Sequence, residues 1–240
     1  MLGIIGGNGV AATNRLLTLI EEKLTKAGAY RDCHHPEMIV WQATQAPSRS
    51  MYLEGRGPSW IEDYVEIGKK LKACGCTELC MCCNTAHYAV DILEEQIGLP
   101  FINLLLEVAK KVKELGCMKV GMMCTDGLRK EGIYEQYFSK VAPEVEVIYP
   151  SEEGQKFVTK GICNAKNTNR YLDKSDKEHP FYCFTSVCNE FEVRGCDCIV
   201  AGCTDISNVF TPTLSVKWKY IDSLTVLADS IAGTRTFSFL

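Results

Sequence analysis

Two segments of this 240-residue chain repeat at nearly one offset. Gly75-Cys76 opens an apolar run that ends at Cys83, and Gly195-Cys196 opens a second that ends at Cys203, each residue 120 positions after its counterpart. Gly3-Ile-Ile-Gly-Gly-Asn-Gly9 is echoed 118 positions later by Gly121-Met-Met-Cys-Thr-Asp-Gly127. Two independent echoes at nearly equal spacing predict two similar halves, each presenting one cysteine from a strand end.

The stretches between these landmarks alternate in period. Strand-like runs fall at 2–6, 38–43, 78–83, 119–124, 145–149 and 198–202. Amphipathic helical stretches fall at 11–27, 58–74, 86–97, 103–115, 128–140, 151–164 and 180–194, with a last one near 222–232. Strands separated by helices imply crossover units and parallel sheets, an α/β architecture. Leu99-Pro100 and Tyr149-Pro150 break the pattern between elements, as chain breakers do. The offset puts the change of lobe near 100–118. The expected division is 1–103 for the first lobe and 104–210 for the second. The segment from about 211 to 240, too short to form a lobe, is expected to complete the first. Residues 165–180 are polar and read as a surface excursion.

The first glycine-rich turn admits two readings. Gly7-Asn-Gly9-Val-Ala-Ala12 follows a strand and opens a helix, which satisfies a dinucleotide fingerprint. That fingerprint also requires an acidic residue at the end of the second strand to bind a ribose. Here Met38-Ile-Val-Trp41 runs into Gln42-Ala43-Thr44, with no acid. A glycine-rich turn at a helix N-terminus still binds anions, so a substrate carboxylate near Asn8 is preferred.

Composition excludes several classes. A net charge of −4 gives no basis for nucleic-acid binding. No apolar run reaches the roughly 18 residues needed to span a bilayer. The opening Met-Leu-Gly-Ile-Ile reads as a first strand rather than an export leader, so a cytoplasmic location is expected. Fourteen cysteines in a chain of this length do not suggest the disulfide framework of a small secreted domain. Cys80-Met-Cys-Cys83 matches C-x-x-C, but residues i and i+3 of a strand point to opposite faces and cannot share an ion. Cys33-His34-His35 offers three candidate ligands without a fourth. No metal site is expected.

A thiol facing each side of a carbon can take a proton from one side while the other returns one. Each cysteine here lies where a strand ends and a helix begins, where backbone N–H groups and the helix dipole favour a thiolate. Asn84-Thr85 after Cys83, and Thr204-Asp205 after Cys203, offer hydrogen bonds to thiol or substrate. His87, one helical turn beyond Cys83, either polarises it or serves in capping and packing.

Gly3-Ile-Ile-Gly-Gly-Asn-Gly-Val-Ala-Ala-Thr13, Cys83-Asn-Thr-Ala-His87, Leu99-Pro-Phe-Ile-Asn103 and Gly202-Cys-Thr-Asp205 resemble the aspartate/glutamate racemase family, closest to its aspartate racemase branch. The resemblance runs from residue 3 to about 206. It implies two pseudo-symmetric, doubly wound lobes with parallel sheets and the active site in the cleft between them. It implies an amino-acid racemase that needs no pyridoxal phosphate, metal or nucleotide, working as a homodimer on a small acidic amino acid. Aspartate is the expected substrate, with glutamate as the alternative. On this resemblance Cys83 and Cys203 are the two acid/base thiols, and Asn84 and Thr85 hold the α-carboxylate. Ala46-Pro-Ser-Arg49-Ser50 resembles the family's Pro-Asp-Arg-Thr segment, making Arg49 the clamp for the distal carboxylate. Lys166 matches a family lysine of similar role, and Thr125 and Thr204 join the substrate-binding set.

The chain departs from the family pattern at Asn8, Val10 and Leu128, and at Asp205, where Glu is commoner after Gly-Cys-Thr. Two other readings share the motifs in part. One is a lyase or isomerase of the same fold, of decarboxylase or maleate isomerase type; decarboxylases of that type keep one catalytic cysteine, and this chain has both. The other is a non-catalytic amino-acid-binding protein, for which a thiol from each lobe is unnecessary.

Overall fold

The computed structural model describes residues 1–212 and 218–233. It contains two four-stranded parallel sheets. The first comprises β1 (Leu2–Gly6), β2 (Met38–Gln42), β3 (Glu78–Met81) and β4 (Phe101–Ile102), in the order β2-β1-β3-β4. The second comprises β5 (Lys119–Met123), β6 (Glu146–Ile148), β7 (Cys198–Ala201) and β8 (Lys219–Asp222), in the order β6-β5-β7-β8.

The two sheets match in register as well as order. Gly3 of β1 stands opposite Leu79 of β3, and Gly121 of β5 stands opposite Ile199 of β7. These are the same pairings carried forward by the two sequence offsets. Both glycines have a packing reason. A Cβ on Gly3 would come within 2.5 Å of the Leu79 side chain, and one on Gly121 within 2.5 Å of the Phe191 ring. Each central strand is therefore bare where a large apolar side chain lies on it.

Alternation along the strands sorts side chains between three clusters. Ile4, Cys80, Met122 and Val200 point into one shared core, built with α1 (Val10–Lys26), α5 (Leu104–Glu114) and α10 (Ser223–Gly233). Ile5, Leu79 and Met81 point the other way, under α3 (Ile61–Ala73) and α4 (Val90–Ile97). Met123, Ile199 and Ala201 point under α8 (Glu152–Asn164) and α9 (Pro180–Val193). The two lobes thus share one core between them and carry a private one on each outer side.

The C-terminal segment departs from expectation. Its strand, β8, pairs in parallel with β7 and so completes the second sheet, not the first. Among the described residues of the segment, α10 is the element that packs on α1 and α5. Strand order explains the assignment: β4 covers the outer edge of β3, so β8 fills the equivalent edge of β7. Residues 213–217 and 234–240 of that segment lie outside the described residues.

One expected helix, 128–140, is two: α6 (Asp126–Lys130) and α7 (Ile133–Val141). The break falls at Gly132, whose φ of 57° is left-handed and ends the helical path. A short helix, α2 (Arg49–Leu53), was not expected; the Ser48 hydroxyl caps it by accepting from the Met51 N–H at 3.4 Å.

Candidate functional site

In a parallel sheet the carboxyl ends of the strands and the loops that leave them form the usual ligand crevice. Asn8, Cys83, Thr125 and Cys203 follow β1, β3, β5 and β7 respectively, the four central strands of the two sheets. The repeat therefore delivers its two cysteines to equivalent strand ends.

Two hydrogen bonds tie these turns together across the lobes. Thr204 Oγ1 donates to the Cys82 carbonyl at 3.2 Å, fixing the turn of one cysteine to the residue before the other. The hydroxyls of Thr85 and Thr125 lie 3.0 Å apart. Thr125 also caps α6 by accepting from the Leu128 N–H at 3.4 Å.

The turn after β1 is braced by Thr13, whose Oγ1 accepts from the Gly7 N–H at 3.0 Å and donates to the Gly9 carbonyl at 3.2 Å. Asn8 is buried on this turn, with its Oδ1 accepting from the Tyr64 hydroxyl and its Nδ2 without a partner. Arg49 begins α2 with Nη1 donating to the carbonyls of Pro47 at 2.7 Å and Ala46 at 3.4 Å; its buried Nε has no partner. Asn8 and Arg49 line one cleft of about 500 Å³ together with Gly9, Thr44, Lys166 and Asp205. A volume of that order suits a small ligand, and unpaired buried donors favour one that carries acceptor oxygens.

Cys203 adjoins this cleft through Asp205. Cys203 is buried, and its Sγ–H donates to Asp205 Oδ2 at 3.8 Å. Asp205 Oδ2 in turn lies 2.9 Å from Lys166 Nζ, which reaches over from the end of α8. Burial, then the Asp205 carboxylate, push the Cys203 thiol up; Lys166 opposes them, and a charge on Cys83 adds to the push. Burial also pushes the Asp205 carboxyl up, against the pull of Lys166.

Cys83 is half-buried. His87 does not reach its sulfur. Instead His87 Nε2 accepts from the Leu104 N–H at 3.1 Å, which places the ring proton on Nδ1, where it donates to the Cys83 carbonyl at 2.8 Å. Burial pushes His87 down to about 4, so the ring is neutral and structural. Asn84 also turns inward: its Oδ1 accepts from the Tyr134 hydroxyl at 2.6 Å, and its Nδ2 donates to Ser223 Oγ at 3.0 Å.

The expected site residues therefore fall into groups. Asn8, Arg49 and Lys166 share a cleft. Thr85 and Thr125 meet each other, and Thr204 meets the Cys82 carbonyl. The Asn84 side chain is engaged in the interior, away from the cleft lining. Asp205, which the sequence offers as a hydrogen-bond partner of the thiol, does accept from Cys203. Tyr64, Tyr134 and Ser223 join the network without a local sequence signal. Among the described residues no group of three or more His, Cys, Asp or Glu side chains is arranged to hold a metal ion. No described helix is long and apolar enough to cross a membrane.

These features define a two-lobed α/β protein with paired strand-end cysteines and a cleft lined by Asn8, Arg49, Lys166 and Asp205. The sequence profile of the Asp/Glu/hydantoin racemase family matches residues 4–231, and the chain belongs to that family. Its fold is similar to that of an aspartate racemase from Picrophilus torridus, at 22% identity and a TM-score of 0.78 over 97% of this chain and 93% of that one. It is similar also to an aspartate racemase homologue from Pyrococcus horikoshii, at 18% identity and a TM-score of 0.69 over 97% of each chain. A glutamate racemase from Francisella tularensis, solved with D-glutamate, matches at 14% identity and a TM-score of 0.63 over 97% of this chain and 80% of that one. At these identities the likeness is one of fold. Family membership makes racemisation of an acidic amino acid the reaction class.

Proposed function

We propose that the protein interconverts the enantiomers of aspartate by a two-base mechanism in which Cys83 and Cys203 act from opposite sides of the α-carbon, without a cofactor. The observation that carries this reading is the equivalence of the two strand ends. Sheets of identical order and register lead β3 to Cys83 and β7 to Cys203, and the Thr204 bond to Cys82 holds the two turns together.

In this reading one cysteine is a thiolate and the other a thiol in each productive complex. The thiolate takes the α-proton, the thiol returns one to the opposite face, and turnover exchanges their states. The α-proton of an amino acid is weakly acidic, so the carbanion needs preorganised donors in a dry cleft. The unpaired Nδ2 of Asn8 and Nε of Arg49 are suited to carboxylate oxygens, with Arg49 taking the distal one. The close-set hydroxyls of Thr85 and Thr125 are suited to the α-carboxylate.

The test is incubation of pure protein with single enantiomers of aspartate, glutamate and a neutral amino acid, followed by chiral chromatography. Racemisation of aspartate ahead of glutamate, undiminished by dialysis against chelator or by a carbonyl reagent, is the expected result. Restoration of lost activity by zinc or pyridoxal phosphate would overturn the cofactor-free reading. A homodimer is proposed as the working form, and light scattering at assay concentration checks it.

A further inference from the structure

Cys83 and Cys203 are equals in the repeat but not in their surroundings. Cys203 is 7% exposed and hydrogen-bonds to the Asp205 carboxylate. Cys83 is half-buried, and no hydrogen bond from it to a carboxylate is found among the described residues.

Asp205 is itself fixed from three sides. Its Oδ2 is 2.9 Å from Lys166 Nζ. Its Oδ1 lies over Gly9, where an added Cβ would come within 2.1 Å. Glycine at position 9 is thus a requirement of close approach, since any side chain there would displace the carboxylate. The Thr204 hydroxyl, one residue back, anchors the same turn to Cys82. Other charged or titratable groups that bear on the pair, among the described residues, are Arg49 on Asp205 and Cys83 on Cys203; Cys82 in turn feels Asp205, and Cys124 and Tyr134 feel Cys203.

Two neighbouring anions in a buried site disfavour each other, so a thiol and a carboxyl at this distance share one proton and titrate as a unit. Burial raises both groups, which brings the pair toward sharing rather than double ionisation. Lys166 beside Oδ2 supports the single negative charge wherever it resides.

Resting on the two-thiol reading above, we propose that Asp205 is the internal proton acceptor for Cys203, with Lys166 as its counter-ion, so that one half of the reaction is driven from within the protein and the other is not. In this step the Cys203 S–H bond breaks with its electron pair left on sulfur, and the proton joins a lone pair of Asp205 Oδ2. The thiolate then takes the α-proton of the enantiomer it faces and becomes a thiol again. Cys83 gives its proton to the opposite face of the carbanion; between turnovers Asp205 releases its proton to water and the Cys83 thiolate takes one from water, which restores the starting state. Lys166 is therefore a positioning residue for Asp205, and the distal substrate carboxylate is left to Arg49.

The experiment uses single-thiol backgrounds and reads exchange of the α-proton for deuterium by NMR in heavy water. In Cys83→Ala only Cys203 exchanges, and in Cys203→Ala only Cys83 does. Adding Asp205→Asn to Cys83→Ala is expected to slow exchange by roughly 100-fold or more, the usual contribution of a positioned base. The loss in the Cys203→Ala background is expected to be at least about tenfold smaller, and Asp205→Glu is expected to restore part of the Cys203-dependent rate. Equal losses in both backgrounds would mark Asp205 as structural and overturn the proposal. If neither single-thiol background exchanges at all, the two-thiol reading fails and takes the proposal with it. Should Asp205→Asn not fold, Lys166→Met at the half-exposed end of the ion pair replaces it. Loss of that counter-ion is expected to move the pH midpoint of exchange in the Cys83→Ala background, and an unmoved midpoint would overturn the role of the pair.

Discussion

The hydroxyl of Thr204 donates to the carbonyl oxygen of Cys82 at 3.2 Å, joining the turn after β7 to the turn after β3. Both groups are buried, so the bond fixes the relative position of the two cysteine-bearing turns. Thr204→Val keeps the shape and removes the donor, leaving a buried carbonyl unpaired at a cost of about 1–3 kcal/mol. In a protein of this size each kcal/mol lowers Tm by roughly 2–4 °C. A misplacement of about 1 Å between reacting groups costs on the order of 100-fold in rate, so kcat is expected to fall more than substrate affinity. Calorimetry and the chiral assay check the two arms. A Tm loss with full kcat would show that the tie does not set the spacing of the thiols.

Arg49 is half satisfied: Nη1 is held by the carbonyls of Ala46 and Pro47, while its buried Nε has no partner. Arg49→Ala is expected to lower kcat/KM for dicarboxylic substrates by about 10–100-fold, the worth of a charged hydrogen bond of roughly 1.5–3 kcal/mol. Neutral amino acids, where turned over, should lose much less. Arg49→Lys should recover only part, because an ammonium cannot reproduce the planar fork. Equal losses on both substrate classes would assign Arg49 to ordering the 46–53 segment.

The repeat made the central strands and their terminal cysteines legible, because each strand is a short apolar run with glycine beside it. The edge strands β2 and β6 were legible as well, as the runs 38–43 and 145–149, but β4 and β8 were not. Phe101–Ile102 is too short to show a period, and Lys219–Asp222 alternates around a single buried Ile221. Helix α2 has five residues, below the length at which a 3.6-residue period can be seen. The pairing of Lys166 with Asp205 joins residues far apart in sequence, with no local pattern to predict it. Asn84 reads as a cleft residue by its place after Cys83; Tyr134 and Ser223, from elements that follow much later in the chain, draw it inward.

His87 supplies a pH dependence of folding. Burial lowers its pKa to about 4 from the ordinary 6.5, so the unfolded chain binds the proton more readily between those values. Stability from this group is then fully present above about pH 6.5 and is lost as pH falls toward 4. At about 1.36 kcal/mol per pKa unit the loss approaches roughly 3 kcal/mol. Thermal melts from neutral pH down to about 4 should fall accordingly, and His87→Gln should be less stable at neutral pH yet show a flatter slope. An unchanged slope in that variant would place the acid sensitivity elsewhere.

The thiols are testable as a pair. In a two-base mechanism each cysteine abstracts from one enantiomer and donates to the other, so Cys83→Ala and Cys203→Ala should each abolish racemisation in both directions. Neither change should unfold the protein. Cys83 is half-buried, and Cys203→Ala removes a single buried sulfur without adding bulk or charge. The surviving thiol still faces one side of the substrate and can exchange the α-proton on that side without inverting the centre. The two single mutants should therefore exchange opposite enantiomers in heavy water, and the double mutant neither. The same preference in both would exclude thiols that face one another. Retained racemisation in either would exclude the two-cysteine assignment.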